Sequence, residues 1–439
     1  MTETPQSLKP PRYPWIGKRP FYGWIIVAVG AVTQFFQGIA SQGFTTYMGL
    51  LEAEFGWTRA ALSGPRSVTQ VEGAITGPFE GFLVDRFGPR KVAAIGIFIT
   101  GIGFALFGLM NSYVMFYVSS IVITLGIGLQ GLLVLSVTVN NWFNRRRTMA
   151  QSFVGLGYSM AGVIGVPVLV LLQEQMDWRA SAYITAAFVW VVGFPFVMML
   201  RDKPETIGSV PDGEVFEEGS TRTPVVMAGY DFSLSESLKT RSFWLLALGQ
   251  AISNLGILGA QLHLFLHLED DVGIERETVA LVWTVASLSN IPARLLGGYF
   301  GDRFPKNILL GISNTLMAGA VYILAITDSV VMAFTFAVIF GIGWGMRTPV
   351  LNAIQGEYFG RVSQGIIRGW MQSLGLPIII AAPVVVGYMR DVQGTYLYAF
   401  SLMAGVMVIG SILLFIAKHP KPPSSASELY LESQETSSR

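Results

Sequence analysis

The segment "GFLVDRFGPRK" at residues 81–91 decides the fold, because a related segment, "GYFGDRFPKN", occurs at residues 298–307. Four residues match at a constant offset of 217 positions: Gly81 with Gly298, Asp85 with Asp302, Arg86 with Arg303, and Phe87 with Phe304. Likewise, "GIG" occurs at 126–128 and 341–343, and "WFNR" at 142–145 is similar to "YFGR" at 358–361. The sequence therefore predicts two copies of one structural unit.

The composition is typical of a membrane protein. Of the 439 residues, 52% are hydrophobic and 13% are charged, whereas soluble domains have about 25% charged residues. Mean hydropathy is +0.53. The formal net charge of +1 provides no basic field for a nucleic acid, and the absence of cysteine excludes disulfides and thiolate metal sites.

Twelve stretches are long and apolar enough to cross a bilayer as helices, which requires roughly 20 residues. Backbone polar groups find no partners in lipid, so such runs must be helical. The first run, "FYGWIIVAVGAVTQFFQGIASQGF", is too long for a signal-peptide core, and we expect it to remain as a span. The predicted spans are 22–44, 60–83, 92–110, 113–141, 149–173, 179–200, 242–267, 278–300, 308–326, 329–356, 366–389 and 395–417.

Basic residues predict the orientation of the chain. With the N-terminus inside, 22 of the 29 Lys and Arg residues fall in inner segments, Arg147 and Arg368 among them, and this places both termini in the cytoplasm. Residues 201–238 are polar and separate six spans from six. The predicted domains are a cytoplasmic tail (1–20), a six-helix bundle (21–200), a cytoplasmic linker (201–238), a second six-helix bundle (239–418) and a disordered cytoplasmic tail (419–439).

The segment at 81–91 resembles the loop motif of the major facilitator superfamily, Gly-x-Leu-x-Asp-Arg-x-Gly-Arg-Lys, and lies between the second and third spans as it does in that family. The resemblance covers about residues 20–418. It implies an all-α membrane protein with twelve transmembrane helices in two six-helix bundles, acting as a secondary transporter by rocker-switch alternating access. It also implies a cytoplasmic charge lock; the residues carried over are Gly81, Asp85, Arg86 and Arg90, with Asp302 and Arg303 in the second copy. The alternative is that these charges only anchor the helix end at the membrane interface.

Arg294 lies within the predicted eighth span, in "LSNIPARLLGGYFGDRF" (288–304), where an arginine costs about 2.5–3.5 kcal/mol on insertion scales. Asn290 lies one turn earlier on the same helix face, and Leu281 and Leu288 point to the lipid side. The planar fork of a guanidinium matches the two oxygens of a carboxylate. Arg294 is therefore predicted to bind an anion, with Asn290 orienting it or donating to the same anion. The alternative is a structural arginine paired with an acid on another span.

The Asn290–Arg294 spacing resembles the Asn-or-Asp-x-x-x-Arg pair on the eighth span of the monocarboxylate porters and their oxalate/formate antiporter relatives, in which the arginine is the carboxylate anchor. "YGW" at 22–24 and "WFNRRRTMAQS" at 142–152 are similar to the first-span and fifth-span signatures of these porters. Many animal porters have a proton-carrying Asp where this chain has Asn290. An amide does not titrate, so either the proton is carried elsewhere or the cycle is exchange or uniport.

Two more ionisable residues lie within predicted spans. Arg347, on the tenth span, either binds a second carboxylate, which would indicate a dicarboxylate, or pairs with Glu72 or Glu357 as part of the structure. Glu72, on the second span, is a candidate proton site because it lies deep in that span. The alternative is a salt bridge from Glu72 to Arg66 or Arg347.

Polar residues follow one face of the first and seventh spans, which are equivalent in the repeat. The family resemblance implies that both spans line the substrate cavity. We therefore expect several side chains to contact the substrate or a gate, and the candidates are Gln34, Gln37, Asn254, Gln261 and, on the fifth span, Tyr158.

Three other patterns are assigned to structure rather than to chemistry. Gly73, Gly77 and Gly81 recur every four residues and predict close helix packing. "GIGLQG" at 126–131 matches a dinucleotide-binding pattern by letter, but it lies inside a membrane helix with no preceding strand. His263 and His267 are spaced for a shared metal without an evident third ligand, and we expect them at the membrane interface.

The sequence thus predicts a multi-pass transporter of the cell membrane that moves a small organic anion, with a monocarboxylate favoured. A proton or a counter-anion is the expected co-substrate, the monomer is the expected functional form, and no cofactor, metal or nucleic acid is expected. The alternatives are a multidrug or sugar facilitator of the same fold, in which Arg294 is structural, and a non-transporting membrane sensor. Nothing in the sequence supports an enzyme.

Overall fold

The computed structural model describes residues 21–57, 62, 75–213 and 230–423, and regular secondary structure in these ranges is entirely helical. The chain forms two compact units. Unit 1 comprises Met1–Glu72 and Arg86–Pro224, and unit 2 comprises Gly73–Asp85 and Val225–Arg439. The boundaries proposed from the sequence for the two bundles, the linker and the tails remain predictions.

The first half of the chain supplies ten helices in the described ranges. They are α1 (Gly23–Gln42), α2 (Phe44–Phe55), α3 (75–87), α4 (Pro89–Leu109), α5 (Tyr113–Leu129), α6 (Leu132–Trp142), α7 (Arg147–Met160), α8 (Val166–Gln175), α9 (Trp178–Phe188) and α10 (Phe194–Met198). Single π-helical turns join α7 to α8 and α9 to α10. A proline follows each π turn, and the extra residue of such a turn accommodates the missing N–H.

The second half supplies eight helices in the described ranges. They are α11 (Leu234–Leu238), α12 (Arg241–Leu266), α13 (Arg276–Gly301), α14 (Lys306–Ala325), α15 (Val330–Phe359), α16 (Gln364–Ser373), α17 (Leu376–Gln393) and α18 (Leu397–Ile416). A core of large apolar side chains, including Phe336, Phe340, Phe400 and Met407, lies inside unit 2 and holds α12, α14, α15 and α18 together.

Ten helical segments of the described chain are long and apolar enough to cross a membrane, and they correspond to ten of the twelve predicted spans. The second predicted span, 60–83, lies largely outside the described residues. The eleventh, 366–389, is not one continuous helix, because a turn at residues 374–375 separates α16 from α17. Pro377 explains the break, since its ring would clash with the carbonyl of Ser373 in a continuous helix.

The outer surfaces of both units are apolar. Val114, Val191 and Val331 are 71%, 72% and 75% exposed, and many other large apolar side chains share this property. Soluble proteins rarely expose contiguous apolar surface of this kind. The surface is therefore suited to contact with lipid.

Aspartates hold both described ends of the predicted linker. In unit 1, Asp212 accepts hydrogen bonds from the backbone N–H groups of 144 and 145 at 3.0 and 2.9 Å. In unit 2, Asp231 accepts from those of 361 and 362 at 2.5 and 3.3 Å. The targets begin one residue after the repeated "WF" dipeptide in unit 1 and two residues after "YF" in unit 2, so each linker end docks at a similar place of its own unit.

Candidate functional site

Arg294 and Asn290 lie together on the buried face of α13. They are 7% and 4% exposed, and Nη2 of Arg294 donates a hydrogen bond to Oδ1 of Asn290 at 3.3 Å. The spacing of four residues places both side chains on one side of the helix. Leu281 and Leu288 are exposed on the outer side, as expected for lipid-facing residues.

The Asn290 amide orients the guanidinium and retains an unused donor. Its oxygen accepts from Arg294, whereas its nitrogen, Nδ2, is buried and has no hydrogen-bond partner in the described part of the chain. A buried donor without an acceptor costs about 1–3 kcal/mol. An anion bound beside Arg294 would supply the acceptor.

Glycines bring α15 against this part of α13. A Cβ on Gly297 would lie 2.7 Å from Cα of Met346, and a Cβ on Gly345 would lie 3.1 Å from the backbone N of Arg294. Neither position accepts a side chain unless the helices move apart. Arg347 directly follows Met346, so the second buried arginine lies at nearly the same level of unit 2 as the first.

Arg347 contacts α12. Its Nη2 donates to the backbone oxygen of Gln250 at 3.2 Å and to Oδ1 of Asn254 at 3.0 Å. Glu357, one of the two predicted acid partners, pairs instead with Lys306 at 2.5 Å, so a structural pair between Arg347 and Glu357 is excluded. The two residues are ten positions apart on one helix, which separates them by about 15 Å.

The other predicted acid partner of Arg347, Glu72, lies outside the described residues. The same holds for its assignment as a proton site and for the predicted salt bridge to Arg66. All three stay predictions.

Gln250 extends the polar network from α12 to α16. Its Oε1 accepts from Nε2 of Gln355 at 3.1 Å, and that nitrogen is 3.6 Å from Sδ of Met371. Gln261 lies two helical turns beyond Asn254 on α12, is half-buried and takes no part in this network. Of the two seventh-span candidates, the structure brings only Asn254 to Arg347.

A smaller polar cluster lies in unit 1, where α1 meets α7. Nε2 of Gln34 donates to Oε1 of Gln37 at 2.6 Å, and the hydroxyl of Tyr158 is 3.2 Å from Oγ of Ser41. The helices approach closely because Gly157 contacts the backbone of α1 directly. The structure therefore brings Tyr158 to Ser41, one turn from Gln37 on α1, whereas the bond between Gln34 and Gln37 lies within that helix.

Asp85 caps the N-terminus of α16. Its carboxylate accepts from the backbone N–H groups of Gly365 at 2.9 Å and Ile366 at 2.8 Å. The first N–H groups of a helix have no partners within the helix, and the helix dipole favours a negative charge there. Asp85 therefore holds the start of α16 to the end of α3.

The glycine repeat of α3 makes this contact possible. Gly81 contacts Gly365 and Gly77 contacts Gly369, and a Cβ at any of these four positions would meet the backbone of the other helix. The predicted close packing is confirmed for Gly77 and Gly81, whereas Gly73 lies outside the described residues.

The contacts of the other residues of the predicted charge lock differ between the two copies. In the first copy, the guanidinium of Arg86 lies 5.7 Å from the ring centre of Phe87, and the backbone N–H of Arg90 donates to Asp202 at 2.8 Å. In the second copy, Asp302 ends α13, as the residue that directly follows its last turn. An exchange of partners during a transport cycle stays a prediction.

Arg303 packs against its own helix. Its guanidinium lies 3.6 Å from the ring centre of Tyr299, and Nη1 donates to the backbone oxygen of the same residue at 3.1 Å. These contacts fit an arginine that extends along the end of α13.

Sequence reasoning missed a third buried arginine in unit 2. The sequence predicts Arg368 in an inner polar segment, but this residue is 8% exposed, and its Nη2 donates to Oδ1 of Asn352 on α15. The same prediction holds for Arg147, which is 7% exposed. Hydropathy shows where a span begins, but not whether its first turns face water or the interior. The spacing of Gln364 and Arg368, identical to that of Asn290 and Arg294, is the signal that could have revealed the site.

The two histidines lie at the end of α12. His267 is buried, with Nε2 at 2.9 Å from the backbone oxygen of Leu324 and Nδ1 at 3.3 Å from Oδ2 of Asp271. Nδ1 of His263 is 3.4 Å from the hydroxyl of Tyr396. Across the described ranges, no group of three or more His, Asp and Glu side chains is placed to hold a metal ion.

The three buried arginines of unit 2 share one arrangement. Each donates to the side-chain oxygen of an asparagine; the pairs are Arg294 with Asn290, Arg347 with Asn254, and Arg368 with Asn352. Arg347 and Arg368 form no ion pair in the described part of the chain. An amide oxygen orients a guanidinium without neutralising it, so Arg347 and Arg368 retain their attraction for an anion.

Two units of apolar helices with cations in the interior define a membrane protein of the transporter class. The sequence profile of the Major Facilitator Superfamily matches residues 30–375 and 246–433. The chain therefore belongs to the Major Facilitator Superfamily, a family of membrane transporters, and the predicted family and fold class are confirmed.

Comparison with known proteins indicates which members of the superfamily this chain resembles. The chain is 24% identical to monocarboxylate transporter 13 of Bos taurus, with 94% of this chain and 95% of the relative covered. It is 22% identical to the sialic acid transporter NanX of Escherichia coli, with 84% and 86% covered, and 22% identical to the oxalate:formate antiporter of Oxalobacter formigenes, with 79% and 78% covered. The chain thus falls in the group of the monocarboxylate transporters and the oxalate:formate antiporter.

A solved structure shows the same fold. The fucose:proton symporter FucP of Escherichia coli matches with a TM-score of 0.66 at 16% identity, and the match covers 90% of this chain and 99% of the symporter. At this identity the likeness concerns the fold alone.

Proposed function

We propose that this protein transports a small organic anion, with a monocarboxylate as the favoured cargo, across the cell membrane by alternating access. Arg294 is the proposed anchor for the carboxylate. Both termini are assigned to the cytoplasm on the excess of basic residues in the inner segments, and the monomer is the proposed functional unit.

One observation carries the proposal. Arg294 is buried and oriented by the oxygen of Asn290, and the nitrogen of the same amide is a buried donor without a partner in the described chain. A carboxylate has two oxygens, so one can accept from the guanidinium and the other from this nitrogen. A neutral sugar or drug would bring no negative charge to the guanidinium of Arg294.

The relatives support the class of cargo. The name of one refers to monocarboxylates and that of another to oxalate and formate, and these are small carboxylates. At 22–24% identity this support is for the class of cargo rather than for one molecule.

The proposed cycle follows from the cost of a buried charge. A carboxylate that pairs with Arg294 brings a negative charge to the guanidinium, so enclosing the arginine together with the anion costs less than enclosing the arginine without it. Occupancy of Arg294 thereby favours the change of access from one face of the membrane to the other. Asp85 and Arg86 are the proposed residues that exchange partners during that change.

The amide of Asn290 affects how anion transport is coupled to a driving gradient. Because Asn290 does not titrate, it does not carry a proton with the anion. The cycle is therefore driven by exchange for a counter-anion or by the anion gradient, unless another group carries the proton. Uptake under defined gradients separates these modes.

The test is uptake of labelled lactate, pyruvate, formate and oxalate by proteoliposomes that contain wild-type protein or Arg294→Gln. We expect at least one anion to enter wild-type vesicles, and kcat/KM for that anion to fall by about 100-fold or more in the variant, because the buried charge pair between the anion and the guanidinium is lost. Parallel runs with an acid-outside gradient and with unlabelled internal anion identify the coupling.

Arg276→Gln is the matched control. Arg276 lies on the same helix, but its side chain is 75% exposed, so its loss should leave uptake unchanged. If no carboxylate enters wild-type vesicles, or if Arg294→Gln keeps full transport, Arg294 is structural and a facilitator of neutral cargo becomes the better assignment. Competition by unlabelled sugars and drugs in the same assay would then identify that cargo.

A further inference from the structure

Helices α7 and α16 carry the same two polar residue types in opposite order. α7 has Arg147 as its first residue and Gln151 as its fifth, whereas α16 has Gln364 first and Arg368 fifth. All four side chains are buried. In each helix the spacing of four places the arginine and the glutamine on one face.

In unit 1 the donors of this pair are used. Nε of Arg147 donates to the backbone oxygen of Phe143 at 3.0 Å. Nε2 of Gln151 donates to the backbone oxygen of Ser136 at 3.1 Å and to Oδ1 of Asn140 at 3.0 Å. The buried atom left without a partner among the described residues is an acceptor, Oε1 of Gln151, and an acceptor does not bind an anion.

In unit 2 the donors of the pair are not all used. Nη2 of Arg368 donates to Asn352, but Nη1 is buried without a partner in the described part of the chain. Gln364 is 1% exposed, and neither of its amide atoms has a partner there. Two unpaired donors, one of them cationic, therefore lie one turn apart on the same face of α16.

Nearby groups add polarity without neutralising the charge. Oε1 of Gln355, which lies one turn from Asn352 on α15, is another buried atom without a partner in the described ranges. Asp85 is bonded to the backbone at the start of α16, and neither it nor Glu80 on α3 pairs with Arg368. Within the described ranges Arg368 is thus a buried cation with one neutral partner, which is costly unless an anion reaches it.

We propose that Arg368 and Gln364 form a second binding site for the transported carboxylate, separate from Arg294. One carboxylate oxygen accepts from Nη1 of Arg368 and the other from Nε2 of Gln364. The inference rests on the proposed function, because it takes the cargo to be a carboxylate. It adds a second binding site on the transport pathway of that cargo.

The position of the site along α15 indicates the membrane face to which it is closer. Asn352, which holds Arg368, lies five residues beyond Arg347 on α15, or about 7.5 Å nearer the end of the helix. That end is the one where Asp85 caps α16, and the proposed orientation places it at the cytoplasmic face. The second site therefore receives the anion on the cytoplasmic side of the first two arginines.

The experiment measures KM from each face separately, in proteoliposomes of defined orientation, for the carboxylate that the wild type moves. Arg368→Gln should raise KM at the cytoplasmic face about tenfold or more and leave KM at the outer face within about twofold, because one charge-assisted hydrogen bond is lost. Arg368→Lys should restore most of the cytoplasmic affinity. Runs with and without chloride separate the cargo from an inorganic anion.

The natural sequence suggests that the variant folds. Arg368→Gln places a glutamine opposite Asn352, as Gln151 lies opposite Asn140 in unit 1. The double variant Gln364→Arg with Arg368→Gln reproduces the order of unit 1 and keeps the total charge. We expect the double variant to retain the raised cytoplasmic KM, because the cation has moved one turn along the helix.

Several outcomes would overturn the proposal. They are an unchanged KM at both faces, an equal increase at both faces, and an effect only on the response to chloride. A failure of the proposed function has a different signature, because wild-type vesicles would then take up no carboxylate. Melting curves of each purified variant show whether a lost affinity comes from lost folding.

Discussion

Helices α7 and α16 are preceded by the same kind of contact with the linker, but their buried arginines have different roles. In each unit, an aspartate near one end of the linker binds two successive backbone N–H groups just before the helix, Asp212 in unit 1 and Asp231 in unit 2. Each helix then presents a buried arginine and a buried glutamine one turn apart. The scaffold is duplicated, but the order of the two polar residues is not.

The difference teaches where buried charge is tolerated. Arg147 is the first residue of its helix and reaches the backbone oxygen of Phe143 and the side-chain oxygen of Asn144 in the segment before the helix, so these donors have protein partners. Arg368 lies one turn deeper, where backbone carbonyls are already bonded within helices and an amide oxygen is its partner. Moving an arginine by one turn thus converts a structural residue into a candidate ligand-binding residue.

The largest expected effect comes from breaking the packing that positions α16. In Gly81→Ala, the new Cβ would meet the backbone of Gly365, so α3 and α16 must separate and Asp85 loses its contact with the helix start. We expect a loss of about 3 kcal/mol of unfolding free energy, measured by thermal or denaturant unfolding of the purified protein.

Gly319→Ala on α14 is the control for that change. A Cβ there meets nothing within 4 Å, so the substitution should stabilise the helix by up to about 1 kcal/mol. Equal destabilisation by the two variants would contradict the role of Gly81 in packing α16.

A smaller effect is expected from Arg147→Gln, which sharpens the comparison of the two helices. The buried backbone oxygen of Phe143 and the side-chain oxygen of Asn144 lose a charged donor, and we expect a loss of about 2 kcal/mol in stability. KM for the carboxylate should change by less than about twofold at either face, in contrast to Arg368→Gln. A large, one-sided change in KM would show that the unit 1 pair also binds cargo.

The smallest effect concerns the linker end of unit 2, where Ser233 and Glu236 form a capping box at the start of α11. The backbone N–H of Ser233 donates to Glu236 at 2.8 Å, and this bond is the main reason that the pKa of Glu236 lies below its ordinary value. Because the pKa is lowered in the folded state, the stabilisation is complete above the ordinary carboxyl pKa of about 4.3 and is lost as pH falls through the lowered value.

Hydrogen exchange measures this local effect. Protection factors of the backbone N–H groups of α11 should decrease below about pH 4 in the wild type. In Glu236→Gln this pH-dependent step should disappear, whereas Ser233→Ala should weaken protection at every pH. A step that persists in Glu236→Gln would assign the titration to another group.

The sequence by itself determined much of this protein. Apolar runs of about 20 residues define the spans, because a helix of that length is the form in which a chain crosses lipid with its backbone satisfied. The echo between 81–91 and 298–307 revealed the repeat, and the spacing of four between Asn290 and Arg294 predicted a contact that lies within one helix. These features depend on neighbours in the chain, so local patterns are sufficient to find them.

Only the tertiary structure decided which buried groups meet across helices. Asp85 caps a helix that starts nearly 280 positions later, and Arg347 is held by Asn254 from another helix rather than by Glu357 on its own. The sequence predicts Arg368 in a polar inner segment, whereas in the structure it is buried against Asn352 on α15. Periodicity states which face of a helix is polar, but the partner of that face is set by packing between distant segments, and packing is a property of the folded chain as a whole.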